Sequence, residues 1–155
     1  MSVFTDYEAI CMDLSAMTED VPYKGANLAN TAAYLYQSME DLNWAGFYVR
    51  EGDDLVLSYF QGKPACVHIP CGAGVCGTCL KEDRTLIVPD VHEFSGHIAC
   101  DSASESEITV PIHDRDGKVV MILDIDSPHK NRFSEEDGKG LENVGRVIEA
   151  FLNRE

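Results

Sequence analysis

Ile10, Leu14 and Met17 recur at helical spacing behind Thr5 and Glu8, a Thr-x-x-Glu capping pair, and together they predict a first helix over residues 5–18. A second helix is expected over residues 27–39, where Leu28, Ala32, Leu35 and Met39 repeat after the punctuation of Pro22 and Gly25. The texture then changes. Residues 44–49 are aromatic and branched, Glu51-Gly52-Asp53-Asp54 reads as a turn, and residues 55–60 alternate back, which predicts a hairpin. Short strands are expected at 66–69 and 85–88, with a helix opening at Gly74-Val75 and running to Lys81, and residues 89–100 read as loop. Residues 107–112 and 118–126 flank His113-Asp114-Arg115-Asp116-Gly117 as a second hairpin. Ser134 and Asp137 cap a last helix whose apolar stripe is Leu141, Val144, Ile148, Phe151 and Leu152. Helices at both ends around hairpins imply an α+β fold, a central antiparallel β-sheet with the terminal helices packed on one face. No repeat or linker divides the chain, so residues 1–155 are expected to form a single domain.

Composition narrows the function classes. The 155 residues carry 12 Lys and Arg against 27 Asp and Glu, a formal charge of -15, which argues against nucleic acid and against an anionic membrane as partners. Most of these acids serve solubility, and only acids placed at a site need a further reason. The first twenty residues mix five acids with apolar positions, unlike a secretory signal, and no apolar run approaches a membrane span. A cytoplasmic location follows as the expectation. Thiols stay reduced there, so the six cysteines point to catalysis or metal binding rather than to a permanent disulfide framework.

Taken one by one, the cysteines differ in surroundings. Cys66 in Gln-Gly-Lys-Pro-Ala-Cys, Cys76 in Gly-Ala-Gly-Val-Cys-Gly and Cys100 in Gly-His-Ile-Ala-Cys-Asp adjoin glycine-rich or loop-like chain, where backbone can approach a ligand. Cys11, on a predicted helix, reads as a small hydrophobe. A reactive cysteine needs its thiolate, and His97 and Lys63 are the local groups that could favour it.

Seven stretches now stand in order: Asn43-Trp44-Ala45-Gly46-Phe47-Tyr48, Gln61-Gly62-Lys63-Pro64-Ala65-Cys66, Gly74-Val75-Cys76-Gly77, Asp90-Val91-His92, Gly96-His97-Ile98-Ala99-Cys100-Asp101, Ser106-Glu107-Ile108 and Leu123-Asp124-Ile125-Asp126-Ser127. In order and spacing they resemble the free methionine-(R)-sulfoxide reductases, over nearly the whole chain after the first helix. The resemblance implies a GAF-like fold and a thiol reaction without metal or other cofactor. It makes Cys100 the nucleophile, Cys66 the main resolving thiol and Cys76 a third thiol able to join the exchange. It makes Glu107, Asp124 and Asp126 the substrate carboxylates, and Trp44 and Tyr48 the walls around the methyl-sulfinyl end. Free methionine-(R)-sulfoxide would be the substrate and thioredoxin the reductant, and a homodimer is compatible with the family.

The chemistry suits these residues. A sulfoxide sulfur accepts a thiolate only when the charge growing on its oxygen meets a proton or strong hydrogen bond, and three acids crowded together push one another towards the neutral form that can give it. Glu107 is assigned that role. Asp124 and Asp126, two apart on a strand, share a face and suit the α-ammonium of a free amino acid. The sulfenic acid formed on Cys100 would then condense with Cys66.

Three residues depart from the family pattern: Cys71, Cys79, and Ala73 where a basic residue is expected between the glycines. Cys71-x4-Cys76-x2-Cys79 has the spacing of a plant-type iron–sulfur loop, with Cys100 available as fourth ligand, so an iron–sulfur protein is the rival from another class. A GAF sensor that binds a small ligand without chemistry is the second.

Overall fold

The computed structural model describes residues 3–96, 98 and 103–154. In chain order the elements are α1 (Tyr7–Thr18), α2 (Lys24–Ser38), β1 (Trp44–Glu51), β2 (Asp54–Gly62), β3 (His68–Ile69), α3 (Gly74–Glu82), β4 (Leu86–Val88), β5 (Ser106–His113), β6 (Val119–Ser127) and α4 (Glu135–Leu152), with a 3-10 turn at Val91–Glu93. The strands form one sheet in the order β3-β2-β1-β6-β5-β4, and every neighbouring pair is antiparallel.

Alternation along β1, β5 and β6 divides the sheet into two faces. Ala45, Phe47, Ile108, Val110, Ile112, Met121, Leu123 and Ile125 point to one side, where they bury against Ile10 and Leu14 of α1, Leu28, Ala32 and Leu35 of α2, and Leu141, Val144, Ile148 and Phe151 of α4. Each such side chain fully removed from water contributes about 1.5–3 kcal/mol before the entropy of ordering it is subtracted. Trp44, Tyr48 and Ile122 point to the other side, onto Val75, Cys76, Cys79 and Leu80 of α3. The expected α+β architecture, with terminal helices on one face, is the architecture found. The smaller cluster under α3 leaves the second face free to carry polar groups.

Local chemistry moves some boundaries. Asp6, not Thr5, caps α1, its carboxylate accepting from Ala9 N at 3.1 Å, because a carboxylate at the start of a helix also meets the positive end of its dipole. Helix α2 begins at Lys24, three residues before the expected start and two after Pro22. The strand expected over 66–69 is reduced to His68–Ile69. The cap of α4 is the expected one, Ser134 and Asp137 exchanging bonds as a capping box.

One ionic staple ties the far end of the site-bearing elements together. His113, at the end of β5, faces Glu149 of α4 with Nδ1 (2.8 Å) and Asp83, the left-handed C-cap of α3, with Nε2 (2.5 Å). Burial pulls the imidazole pKa down, but the two carboxylates together outweigh it and leave it raised. A raised pKa means stability that is present in full below the unfolded value of about 6.5 and is lost as pH climbs through the folded one. His113→Ala is therefore expected to cost about 1 kcal/mol in urea melts near pH 5.5 and distinctly less near pH 9. An equal cost at both would show that the charge does nothing.

Candidate active site

The register of the sheet builds the polar floor of the second face. Trp44 of β1 pairs with Asp126 of β6, and Asp126 pairs with Glu107 of β5, so these three stand in one row across the sheet. Gly46, Asp124 and Thr109 form the next row. Residues directly opposite in antiparallel strands project to the same side, and so do residues two apart on one strand, so Glu107, Asp124 and Asp126 gather beneath α3.

Helix α3 supplies the lid of this space. It starts at Gly74, whose φ of +62° suits glycine, and Gly77 lets it lie against the preceding turn: a Cβ there would sit 2.5 Å from Pro70 O. Its N-cap is Ala73, standing where a basic residue is expected, and that helix start has no side-chain cap. Cys76, on the first turn, points down at the acids with Sγ 3.9 Å from Glu107 Oε2. A cavity of about 40 Å³ results, lined among others by Trp44, Tyr48, Cys76, Glu107, Asp124 and Asp126.

Burial governs the electrostatics. Glu107 and Asp124 are only 7% and 5% exposed, which makes their charged forms expensive. The carboxyl of Glu107 is held well above the usual range, by burial first and then by the negative charges of Asp124 and Asp126. Burial raises Asp124 too, but hydrogen bonds with Glu107 and Cys76 favour its ionised form. The two shifts describe one arrangement, a neutral Glu107 donating to a charged Asp124. Asp124 Oδ1 nevertheless is a buried acceptor with no hydrogen-bond partner, on a residue that lines the cavity. Burial and the same acids push the Cys76 thiol well up, and Cys79 is pushed up to about 12, mainly by burial.

The aromatic residues close one side. Trp44 stacks on Phe60 with ring centroids 5.2 Å apart and leans on Tyr48 at 6.0 Å. Their polar ends reach the chain between β2 and β3. Trp44 Nε1 donates to Lys63 O at 3.1 Å, and Tyr48 Oη donates to Cys66 O at 2.8 Å. Cys66 is half-buried and disulfide-bonded, whereas Cys11, Cys71, Cys76 and Cys79 are free thiols. Cys100 and His97 lie outside the described residues. Lys63 enters through its carbonyl, and its side chain is exposed.

Of the expected site residues that are described, Trp44, Tyr48, Cys76, Glu107, Asp124 and Asp126 therefore line one cavity, with Cys66 next to Ala65 on its rim. Ser104 and Ile98 also line it and were not anticipated. Ser104 is held by Asn43 Nδ2 at 3.0 Å, and nothing in the alternation of strands marks a serine in an irregular connection.

Two groups of ligand-type atoms converge among the described residues. Cys76, Glu107 and Asp124 are the buried one; Asp90, His92 and Glu105 are the more exposed one, where Lys130 Nζ already lies 3.1 Å from Asp90. Cys71, Cys76 and Cys79 do not form such a group. Cys71 is exposed, and Cys79 Sγ turns to Arg84 O at 3.3 Å, so the loop spacing that suggested an iron–sulfur site is not matched by converging sulfurs. No described helix is long and apolar enough to cross a membrane.

Known proteins place this geometry. The family described as GAF domain matches residues 25–153. The free methionine-R-sulfoxide reductase of Escherichia coli (strain K12) is 50% identical over 127 residues, which span 82% of this chain and 76% of that protein. Among solved structures, fRMsr of Staphylococcus aureus in complex with substrate is similar with a TM-score of 0.92 at 45% identity, over 98% of this chain and 99% of that one. The free methionine-R-sulfoxide reductase of Neisseria meningitidis in complex with its substrate is similar with a TM-score of 0.90 at 38% identity, over 97% and 93%.

Proposed function

Because the chain belongs to the GAF-domain family and, within it, to the free methionine-(R)-sulfoxide reductases, we propose that it reduces its substrate by thiolate attack and intramolecular disulfide formation, with Cys100 as nucleophile and Cys66 as resolving thiol. The enzyme acts on free methionine-(R)-sulfoxide. The observation that carries the reading is the cluster of buried Glu107 and Asp124 with half-buried Asp126 beneath Cys76, walled by Trp44 and Tyr48.

Each group has a task set by its surroundings. The α-ammonium of the free amino acid docks on Asp124 and Asp126, and the unpartnered Asp124 Oδ1 supports this, since a buried acceptor left without a donor costs about 1–3 kcal/mol that a bound cation would recover. A methionine inside a protein has an amide there and brings no charge to the acids. Glu107, its carboxyl pKa raised by burial and by the neighbouring acids, donates its proton to the sulfoxide oxygen as the Cys100 thiolate attacks the sulfur. The oxygen passes to Cys100 as a sulfenic acid, methionine leaves, and the Cys66 thiol displaces the oxygen as water. Two electrons go from the thiol pair to the sulfoxide. That Cys66 is disulfide-bonded while the other described cysteines are free supports its part in this step.

Cys76 remains the third thiol for later exchange, slow to ionise while Glu107 and Asp124 flank it. Thioredoxin is the proposed reductant, acting in the cytoplasm, on a homodimeric enzyme. NADPH consumption in the presence of thioredoxin and thioredoxin reductase is expected with free methionine-(R)-sulfoxide and to fall to background with the (S) epimer or with an N-acetylated substrate. Equal rates with the N-acetyl derivative would remove the acids from substrate recognition.

A further inference from the structure

The backbone between β2 and β3 is strung rather than paired. Gly62, the last residue of β2, has φ +128°, and a Cβ on it would come within 2.7 Å of both Trp44 Cδ1 and Asn43 O, so the chain passes close beneath the indole only because no side chain stands there. Beyond it, Lys63 O accepts from Trp44 and Cys66 O accepts from Tyr48, and the chain rejoins the sheet where Leu57 N donates to Val67 O at 2.9 Å. Both side-chain anchors come from β1, four residues apart and therefore on one face.

We infer that Tyr48, through its hydroxyl on the Cys66 carbonyl, is a positioning residue for disulfide formation, and that Trp44 anchors the same strap at Lys63. This rests on Cys66 being the resolving thiol. A wall around the substrate needs only the faces of the two rings. Their polar ends fix the main chain of a residue that must bring its sulfur to a sulfenic acid.

Loss of the Tyr48 hydroxyl removes the hydrogen bond that fixes the Cys66 carbonyl, and the sulfur of Cys66 spreads over more positions. Closure of a disulfide depends on the fraction of time both sulfurs stand in line, so the second chemical step slows more than the first. The Tyr48 hydroxyl keeps its proton throughout, since burial first and then Asp124 and Cys76 raise its pKa.

The experiment is a single turnover of fully reduced enzyme mixed with one equivalent of methionine-(R)-sulfoxide, in which methionine release and loss of the Cys66 thiol are timed separately. In Tyr48→Phe the ratio of the disulfide rate to the release rate is expected to fall about tenfold, and a dimedone adduct on Cys100 is expected to accumulate. Trp44→Phe keeps a ring against Phe60 but lacks the N–H, and the ratio is expected to fall in the same direction. A ratio unchanged from wild type in both variants overturns the inference, even if both steps slow together, because a merely structural loss affects them alike. A wild type that has released its methionine and whose Cys66 thiol persists after the reaction has run to completion overturns the thiol assignment beneath it, and is recognised before any variant is made.

Discussion

Cys100→Ser is expected to release no methionine, even when a stoichiometric amount of the (R)-sulfoxide is left with the reduced enzyme and the products are separated chromatographically. A serine hydroxyl at neutral pH is neither ionised nor able to form the sulfenic acid that takes up the sulfoxide oxygen. The loss is a factor of about 10³ or more in kcat, since the residual binding and acid groups have no acceptor to serve. Cys66→Ser should behave differently. It retains the first step, so one methionine per chain appears as a burst, but steady turnover with thioredoxin falls because the sulfenic acid has lost its partner. Retained turnover in Cys100→Ser would move the nucleophile elsewhere.

Glu107→Gln is expected to lower kcat/KM by about 10²–10⁴, the usual worth of a positioned proton donor, while the protein becomes more stable. The carboxyl of Glu107 is raised by burial and by Asp124 and Asp126, so the folded protein holds its proton more tightly than the unfolded chain does. Its contribution to stability is thus whole below the ordinary glutamate range near 4.3 and drains away as pH rises towards the folded value. An amide cannot ionise and escapes that loss. A gain on the order of 1 kcal/mol, read as a rise in Tm of ~2–4 °C that grows from pH 6 to pH 8, is expected. The opposition of the two effects is the signature of a strained functional acid, and a variant that lost both activity and stability would identify Glu107 as a packing residue instead.

Several parts of this structure could be read before any coordinates. The two long hairpins announce themselves because β1 with β2 and β5 with β6 alternate on either side of short turns, and the stripe of α4 is written in Leu141, Val144, Ile148 and Phe151. The gathering of Glu107 with Asp126 was legible through the family resemblance, and the register of the second hairpin gives its physical basis by placing them opposite each other. What stayed hidden depended on contacts between distant parts of the chain. No local pattern tells that β3 and β4 lie at the two edges of the sheet. None tells that the Cys66 carbonyl is held by a tyrosine hydroxyl eighteen residues earlier and so leaves the strand. The cysteine spacing 71, 76, 79 invited a metal loop, but Cys71 is exposed, Cys76 Sγ faces Glu107 and Cys79 Sγ faces Arg84 O, contacts with no mark in the spacing.

The account is tested most directly by a mass-spectrometric map of the cysteines after one turnover. Reduced enzyme is mixed with one equivalent of free methionine-(R)-sulfoxide, quenched with an alkylating reagent and digested without reductant. One methionine per chain is predicted, with Cys66 and Cys100 joined and Cys11, Cys71, Cys76 and Cys79 alkylated. Methionine produced while all six cysteines remain alkylatable would contradict it.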